Sequence, residues 1–471
     1  MARSNDIATE RLVSRCLAAR DGAPSAEVAD RLKRHLLDTL GVTIGASAHA
    51  DSSPAFADGV DRLAAGGKGE ATLLPDGKAR PAEHAALRNG IYAHSLDFDD
   101  THRESSLHPG APVIPAALAM AEREGATTSE FLAAVDAGYD IACALGRAVT
   151  PDAHYDRGFH ITATCGTFGA TAAAGVVAGL SAEEFENAFG LNGSQAAGSL
   201  QFLSNGAWNK RLHPGLAARR AVTAVTLSQA GVLGAQAPLE GDNGFFVGYT
   251  DEPNPAALDD LADRHAVLET GLKPYPCCRY MHPALDGLVD ISNTVDAEDV
   301  EAVRIELPRS GVKLTGDPID RKRRPDNFVD CQFSMPFGAA VALSEGTAGL
   351  EAFLDAQPRL NDPTLTRIMD VTTVEVTEAV QDPFPERWAA RVVVTADGET
   401  HERFVDIARG EPENPLSWAA VEEKFDALAT GAGLGPADRE RAIRTVRQLE
   451  DHTISDLVTS MTTAIEAQAD D

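Results

Sequence analysis

Residues 161–180 constrain the fold most strongly, because all 20 of them are uncharged. The segment is long enough to cross a bilayer, but it consists mostly of Ala, Gly and Thr, with few large apolar side chains. Abundant small residues of this kind favour tightly packed helices. We therefore predict a buried helix at this position, in a protein that does not span a membrane.

The hydrophobic pattern up to about residue 273 is mostly helical. The predicted helices lie at 29–41, 81–95, 111–124, 129–149 with Ser129 as its capping residue, 161–180 and 219–231, and another begins at Ser181. After about residue 415 the helical period returns, at 421–428, 437–449 and 454–467. Both ends of the chain are therefore predicted to build one large all-helical domain.

The middle of the chain has a different pattern. Apolar and polar residues alternate as in strands at 303–307, 374–376, 391–395 and 402–406, and the last two flank Asp397-Gly398, a hairpin signal. Helices are predicted between these strands, at 337–344 and 364–369. The chain is therefore predicted to be mainly α, with a helical domain at 1–275 and 412–471 and an inserted α+β domain at 276–411.

The strongly acidic charge balance argues against nucleic acid as a partner and indicates a high-salt environment. The chain has 71 Asp and Glu residues against 41 Lys and Arg, of which eight are Lys, for a formal charge of −30. This acidic, Lys-poor composition is typical of proteins that stay soluble at high salt, so we predict a halophilic host. Nucleic acid is an unsuitable partner because the sequence has no basic stripe to neutralise phosphates.

Cysteine usage and the N-terminal residues bear on the compartment. The six Cys residues contain no CxxC pair and no regular spacing, which argues against a zinc knuckle and a disulfide framework. Residues 1–9 are polar and lack the apolar core of a signal peptide. We expect a cytoplasmic protein.

A dense polar cluster occupies residues 93–102, followed by His108. It supplies three carboxylates and three imidazoles within fifteen residues, on a predicted loop between two helices. Carboxylates beside imidazoles can orient the ring and adjust its pKa for proton transfer. Two alternatives remain: a magnesium site formed by Asp97, Asp99 and Asp100, as in a helical hydrolase or diphosphate lyase, or simple helix capping.

Three further segments offer cations or helix N-termini to an anion. His160 stands at the start of the predicted helix at 161–180, where backbone N–H groups attract negative charge, although it could equally be a buried structural residue. Residues 208–220 contain Lys210, Arg211 and His213 in an otherwise Lys-poor chain. Such a cationic group suits a di- or tricarboxylate, and surface ion pairing is the alternative.

The last of these segments is Lys273-Pro-Tyr-Pro-Cys-Cys-Arg-Tyr-Met-His282. Its two prolines predict an extended lead-in, which brings Arg279 and His282 to the start of a helix at 283–291. Lys273 and Arg279 are candidate substrate-binding residues, together with Arg211 and His213. A nucleophilic Cys277 or Cys278 is a weaker alternative, because no partner for a thiolate is evident.

These segments, in this order, resemble the MmgE/PrpD family. The resemblance rests on His94-Ser-Leu-Asp-Phe-Asp-Asp-Thr101, His108-Pro-Gly, Gly158-Phe-His-Ile-Thr-Ala-Thr-Cys-Gly166, Lys210-Arg-Leu-His-Pro-Gly and the segment from Lys273 to His282. It implies a large helical domain with a smaller α+β lid domain, usually in a homodimer. It also implies a lyase that works without a cofactor or metal on a small polycarboxylate.

The resemblance also implies a set of catalytic residues: Asp97, Thr101, His108, His160, Lys210 and His282. We expect His108 and His160 to act as base and acid in either order, Asp97 to orient one of them, and Lys210 to neutralise a substrate carboxylate. The family includes 2-methylcitrate dehydratases, which serve propionate metabolism, cis-aconitate decarboxylases and an iminodisuccinate epimerase. The stretch from Thr101 to His108 differs from the decarboxylase pattern, so dehydration of 2-methylcitrate to 2-methylaconitate is the first prediction.

Overall fold

The computed structural model of the chain describes residues 8–463, which form two compact units. The helical unit comprises the described residues up to Thr270 together with those from Ser417, and the α+β unit comprises residues 271–416. The predicted domain limits, 275/276 and 411/412, each lie five residues from these limits. Helices dominate and strands are few, which confirms the prediction of a mainly α chain.

The helical unit consists of long helices joined by short loops. Its α-helices are Ala8–Arg20, Ala26–His49, Ser53–Ala64, Ala82–His94, Gly110–Glu124, Thr128–Ala148, Pro151–Asp156, Ile161–Val177, Ala182–Gly193, Asn209–Gln229, Phe245–Tyr249, Trp418–Gly431, Pro436–Arg447 and Ile454–Ser460. Its 3-10 helices are Leu200–Ser204, Pro255–Leu258, Ala266–Glu269 and Leu449–Asp451. Its strands are Ala71–Leu73, Lys78–Arg80 and Thr101–His102, and the strand Thr270–Gly271 lies at the limit of the unit.

The helix Ile161–Val177 is the centre of this unit, and all 17 of its residues are buried. It packs against Thr128–Ala148, Gly110–Glu124 and Asn209–Gln229. Gly138 and Gly169 lie at one crossing, where a Cβ on Gly169 would stand 2.5 Å from the carbonyl oxygen of Gly138. The predicted buried helix is confirmed. Within residues 8–463, no helix combines the length and apolar character needed to cross a bilayer.

A second close crossing positions functional side chains. The helices Ala82–His94 and Asn209–Gln229 meet at Gly90 and Gly215, where a Cβ on Gly90 would lie 2.8 Å from the Gly215 Cα. Only glycines allow this approach, since any side chain would push the helices apart. The crossing lies about one turn from His94 on one helix and about one turn from Lys210 on the other.

Several predicted boundaries are wrong in detail, and the helix predicted at 29–41 extends to His49. The helix predicted at 219–231 begins ten residues earlier, because Pro214 is tolerated inside the helix Asn209–Gln229 although it offers no N–H to the carbonyl of Lys210. The cap of the helix predicted at 129–149 is Thr127, which forms a capping box with Glu130, and not Ser129. The helix predicted at 454–467 ends at Ser460, and residues 464–467 lie outside the described residues.

The α+β unit is built on a four-stranded sheet. The strand order is Thr372–Glu375, Val300–Glu306, Ala390–Ala396 and Glu399–Val405, with the first pair parallel and the others antiparallel. The predicted hairpin is confirmed: Asp397 and Gly398 join the last two strands with φ values of 50° and 71°, as a two-residue primed turn requires.

Helices surround this sheet. The α-helices are His282–Ser292, Arg309–Thr315, Ile319–Lys322, Phe328–Gln332, Met335–Glu345, Leu350–Ala356, Pro363–Val371 and Glu378–Gln381. The 3-10 helices are Arg279–Met281, Ala297–Asp299 and Gln357–Arg359. The helix His282–Ser292 packs on the two strands of the hairpin and on Met335–Glu345, so the segment that carries Arg279 and His282 rests on the sheet.

Candidate active site

The polar cluster predicted on a loop does lie between two packed helices, Ala82–His94 and Gly110–Glu124. Asp100 anchors this loop from inside the core. Its carboxylate accepts hydrogen bonds from the backbone N–H of Gly110 at 3.0 Å and the hydroxyl of Tyr139 at 2.6 Å, and it lies 3.1 Å from Nδ1 of His35. Asp100 is therefore a structural anchor whose oxygens are already engaged.

A lysine from the C-terminal part of the chain holds the same loop. The Nζ of Lys424 donates to the carbonyl oxygen of Phe98 at 2.6 Å and pairs with Oδ1 of Asp38 at 2.6 Å. It also lies 3.7 Å from the centre of the Phe98 ring, a cation–π contact. Phe98 separates Asp97 from Asp99, so this buried ammonium fixes the backbone between two candidate functional carboxylates.

Asp99 binds the imidazole of His94. Oδ2 of Asp99 accepts from Nδ1 of His94 at 2.7 Å, and both side chains are fully buried. A carboxylate that accepts at Nδ1 leaves the lone pair of the imidazole on Nε2. The His94 ring lies 4.8 Å from the ring of His108 and 6.1 Å from that of His160. We call His94, His108, His160 and His213 the histidine cluster.

The hydrogen bonds of His108 fix its tautomer. Its Nδ1 lies 2.6 Å from the carbonyl oxygen of Asp100, and because a carbonyl only accepts, Nδ1 carries the hydrogen. The hydroxyl of Thr101 lies 3.3 Å from the same nitrogen, and the backbone N–H of His108 donates to the hydroxyl of Thr162. Neutral His108 therefore has its lone pair on Nε2, which makes it a candidate base.

Lys210 forms an ion pair with Asp97. Its Nζ donates to Oδ1 of Asp97 at 2.8 Å. Asp97 has a φ of 50°, in the left-handed region that Asp tolerates better than most residues, so the loop turns sharply where its side chain meets the lysine. That Asp97 orients an imidazole stays a prediction; in this structure its Oδ1 binds Lys210, and Asp99 binds the imidazole of His94.

His160 immediately precedes the central helix, as predicted, and contacts His213. The two Nδ1 atoms lie 3.0 Å apart. Burial lowers the pKa of His160 well below its usual range, and the nearby His213, His94 and Lys210 lower it further. Burial, followed by His94, also lowers the pKa of His213, to about 4. Both imidazoles are therefore neutral at neutral pH.

Arg211, predicted to bind substrate, is engaged elsewhere in the helical unit. Its Nη1 donates to Oδ1 of Asp51 at 2.5 Å and to the hydroxyl of Ser52 at 2.7 Å. Lys210, Arg211 and His213 follow one another on the same helix. Lys210 binds Asp97, and His213 contacts His160. Arg211 instead joins its helix to the start of Ser53–Ala64.

Three predicted residues belong to the α+β unit. His282 begins its helix, is fully buried, and donates Nε2–H to the carbonyl oxygen of Cys277 at 3.2 Å. Arg279 pairs with Glu411 at 2.5 Å, and Lys273 is buried. The roles of His282, Lys273 and Arg279 stay predictions.

Two sets of side chains in this region offer donors to a metal ion, and both already have protein partners. His94, Asp99 and His108 place candidate ligand atoms within 4.8 Å of one another. The Nδ1 of His108 donates its hydrogen to a backbone carbonyl, so this side chain could bind an ion only through Nε2, and Nδ1 of His94 already binds Asp99. The alternative magnesium set is also divided, because Lys210 binds Asp97, His94 binds Asp99, and Asp100 serves Gly110 and Tyr139.

Two further clusters of acidic side chains in the helical unit are paired with arginines. Arg264 neutralises Glu104 and Glu269, and Arg15 pairs with Asp136 and Asp140. Arg15 and Asp136 also line a cavity of about 540 Å³ that contains none of the predicted site residues. These groups therefore serve as ion pairs within the helical unit.

Two residues of the site escaped selection from the sequence. His94 and Asp99 lie in the motif that ends at Thr101, but only Asp97 and Thr101 were predicted from it to be catalytic, and Asp99 was considered only as a magnesium ligand. The signal was present, since an Asp five residues after a His at the end of a helix can fold back onto it. Lys424 gave no such signal, because its partners Asp38 and Phe98 are more than 300 residues away in the sequence.

Comparisons with known proteins extend over both units. The model of the MmgE/PrpD N-terminal domain matches residues 10–257, and that of the MmgE/PrpD C-terminal domain matches residues 275–451. Cis-aconitate decarboxylase of Homo sapiens is 25% identical over 457 residues, which cover 94% of this chain and 92% of that protein. Cis-aconitate decarboxylase of Aspergillus terreus is 24% identical over 366 residues, covering 73% and 74%.

Proposed function

The chain belongs to the MmgE/PrpD family, and from that premise we propose that it is a lyase acting on a small citrate-like polycarboxylate. The preferred reaction is dehydration of 2-methylcitrate or a close analogue. One observation carries the proposal: the ring of His94 contacts those of His108 and His160, and Lys210 is near enough to lower the pKa of His160, although these residues come from distant segments of the helical unit.

Lys210 supplies the fixed positive charge. When a bond breaks at the carbon next to a carboxylate, electron density builds on that carboxylate in the transition state. A cation already in position is worth more there than in the ground state. Asp97 holds Lys210 in the absence of substrate, so a substrate carboxylate would share the ammonium with Asp97 or replace it.

His108 is the favoured general base. Its Nε2 has the lone pair, and its side chain is 13% exposed, whereas the side chain of His94 is fully buried. A proton on the carbon beside a carboxylate would move to this Nε2. Asp99, 3.7 Å from Nδ1 of His108, stabilises the imidazolium that forms.

His160 is the favoured general acid. The departing hydroxyl takes a proton from an imidazole nitrogen and leaves as water, which avoids the release of hydroxide. His160 is paired with His213 and stands at the N-terminus of the central helix, where the backbone also favours a carboxylate. Thr101, close to His108, offers a hydroxyl for orientation.

Decarboxylation of cis-aconitate is the second candidate, and the names of the relatives favour it. In that reaction a carbon–carbon bond to a carboxylate breaks, and the acid protonates the carbon that remains. Lys210 and His160 would keep their roles, but no base would be required. The substitution His108→Gln therefore separates the two reactions: it should abolish dehydration and leave decarboxylation largely intact.

A panel assay followed by NMR in the salt that the protein prefers tests the proposal. We expect loss of water from 2-methylcitrate or citrate, seen as new olefinic ¹³C signals, and no such signals with His160→Gln over the same time. Loss of a carboxylate carbon from cis-aconitate would support the second candidate, and the panel includes iminodisuccinate for epimerisation. Activity lost to EDTA and restored by magnesium, or no turnover of any of the four compounds by folded protein, would contradict the proposal.

A further inference from the structure

His160 and His213 form a contact that constrains where their protons are. Two bare nitrogens at 3.0 Å would repel one another, and so would two N–H groups. One hydrogen therefore lies between the two Nδ1 atoms. The imidazole that donates from Nδ1 has its lone pair on Nε2, and its partner has Nε2–H. The pair always presents one acceptor and one donor.

The surroundings keep this pair uncharged in the absence of a ligand. The titratable groups of the helical unit that bear on it are His94, His108, Lys210 and Arg220, and all of them disfavour a further proton. Phe202, which packs edge-on against both rings, adds no charge. Of the two carboxylates of the site, Asp97 binds Lys210, and Asp99 binds His94 and lies 3.7 Å from Nδ1 of His108.

A bound polycarboxylate would make a protonated His160–His213 pair more favourable. Negative charge placed beside the pair favours the protonated form of an imidazole. The added proton would go to the free Nε2 of the donating ring, and the hydrogen bond between the two Nδ1 atoms would then become a charge-assisted one. The site would thus acquire its acid only when substrate is present.

We propose that His213 is a positioning residue that shares one proton with His160, and that the pair takes up a second proton from solvent when a polycarboxylate binds. The proposal rests on the function proposed above. During dehydration the carbon-bound proton moves to Nε2 of His108, the C–O bond breaks, and the hydroxyl leaves as water with the proton from the pair. The pair returns to its neutral state, and His108 releases its proton to solvent.

Calorimetry with citrate as the probe measures the proton uptake directly. Titrations at pH 7.5 in two buffers of different ionisation enthalpy should show uptake of about one proton per citrate bound to the wild type. His401→Gln, on a strand of the α+β unit, is the control and should behave like the wild type. Citrate binding with no proton exchange would overturn the proposal.

Two variants of the same shape separate positioning from packing. His213→Asn retains a carbonyl oxygen that can accept from Nδ1 of a protonated His160, whereas His213→Leu does not. We expect the Asn variant to keep most of the uptake, and the Leu variant to lose it together with a fall in kcat of about 10-fold or more. Equal uptake and equal kcat in the two variants would show that His213 only fills space.

NMR of the ligand-free wild type, with ¹⁵N-labelled histidine, decides the pairing even if the Leu variant fails to fold. We expect complementary tautomers, one ring with Nδ1–H and the other with Nε2–H, identified by comparison with His213→Asn. Identical tautomers would overturn the proposal. If no compound of the panel binds to folded wild type, the proposed function fails and the coupling to a ligand fails with it, while the tautomers still decide the pairing.

Discussion

The substitution Lys424→Met should damage both stability and catalysis. The ammonium pairs with buried Asp38 and donates to the carbonyl oxygen of Phe98, so its removal leaves a carboxylate and a carbonyl inside the core without this partner. Breaking a buried ion pair from one side costs about 3–5 kcal/mol of unfolding free energy. Because Phe98 lies between Asp97 and Asp99, kcat should also fall by about 10-fold or more.

The unfolding free energy lost in Lys424→Met should depend on pH and on the presence of Asp38. Burial raises the pKa of Asp38, and Lys424 is the first neighbour that lowers it, so the variant raises this pKa further. A carboxyl with a raised pKa in the folded state stabilises at low pH and loses that contribution as the pH rises. The deficit should therefore be smallest near pH 4 and grow toward pH 8. Adding Asp38→Asn should recover about 1–3 kcal/mol.

Urea titrations followed by circular dichroism, with activity assays on the same samples, check this. Lys33→Met is a matched control, because Lys33 also binds a carboxylate and a backbone carbonyl, those of Glu450 and Arg447, but at the surface. It should cost less than about 1 kcal/mol. Equal deficits in the two Lys→Met variants, or no recovery with Asp38→Asn, would refute the role of the buried pair.

Three further outcomes are expected. His160→Gln should lower kcat by about 100-fold or more with an unchanged far-ultraviolet spectrum, and wild-type turnover would contradict its role as acid. Lys210→Met should weaken citrate binding by about 10- to 100-fold in calorimetry, whereas exposed Lys78→Met should not. Burial lowers the pKa of His154 and of His213 to about 4, so the unfolded state binds more protons than the folded state below pH 6.5. The unfolding free energy should therefore fall between pH 6.5 and 4, by up to about 3 kcal/mol per histidine. The fall should be less steep in His213→Asn.

Much of the fold follows from local sequence patterns. The uncharged segment at 161–180 predicts the buried central helix, and the alternation around Asp397-Gly398 predicts the hairpin. The start of Asn209–Gln229 was missed because Pro214-Gly215 looks like a break in isolation. The close crossing at Gly90 and Gly215 is a tertiary constraint, and no local pattern reports it.

For the site, likewise, local motifs predicted residue types but not the contacts between distant residues. Family motifs selected His108, His160 and Lys210 by residue type. They could not say which carboxylate binds Lys210 and which binds His94, since Asp97 and Asp99 are two residues apart and have different partners. The role of Lys424 could not be predicted either, because its partners are distant in sequence and a lone lysine on an amphipathic helix is usually exposed.

The central claim is that imidazoles and an ammonium from distant segments act as one binding site for a polycarboxylate. The most direct measurement is a citrate titration of protein labelled with ¹⁵N-histidine, with ring signals assigned by single substitutions. The account predicts that His108, His160 and His213 shift with a single Kd, that Lys210→Met raises this Kd, and that His401 does not respond. Ring signals that stay unmoved at saturating citrate, or that report different Kd values, would contradict it.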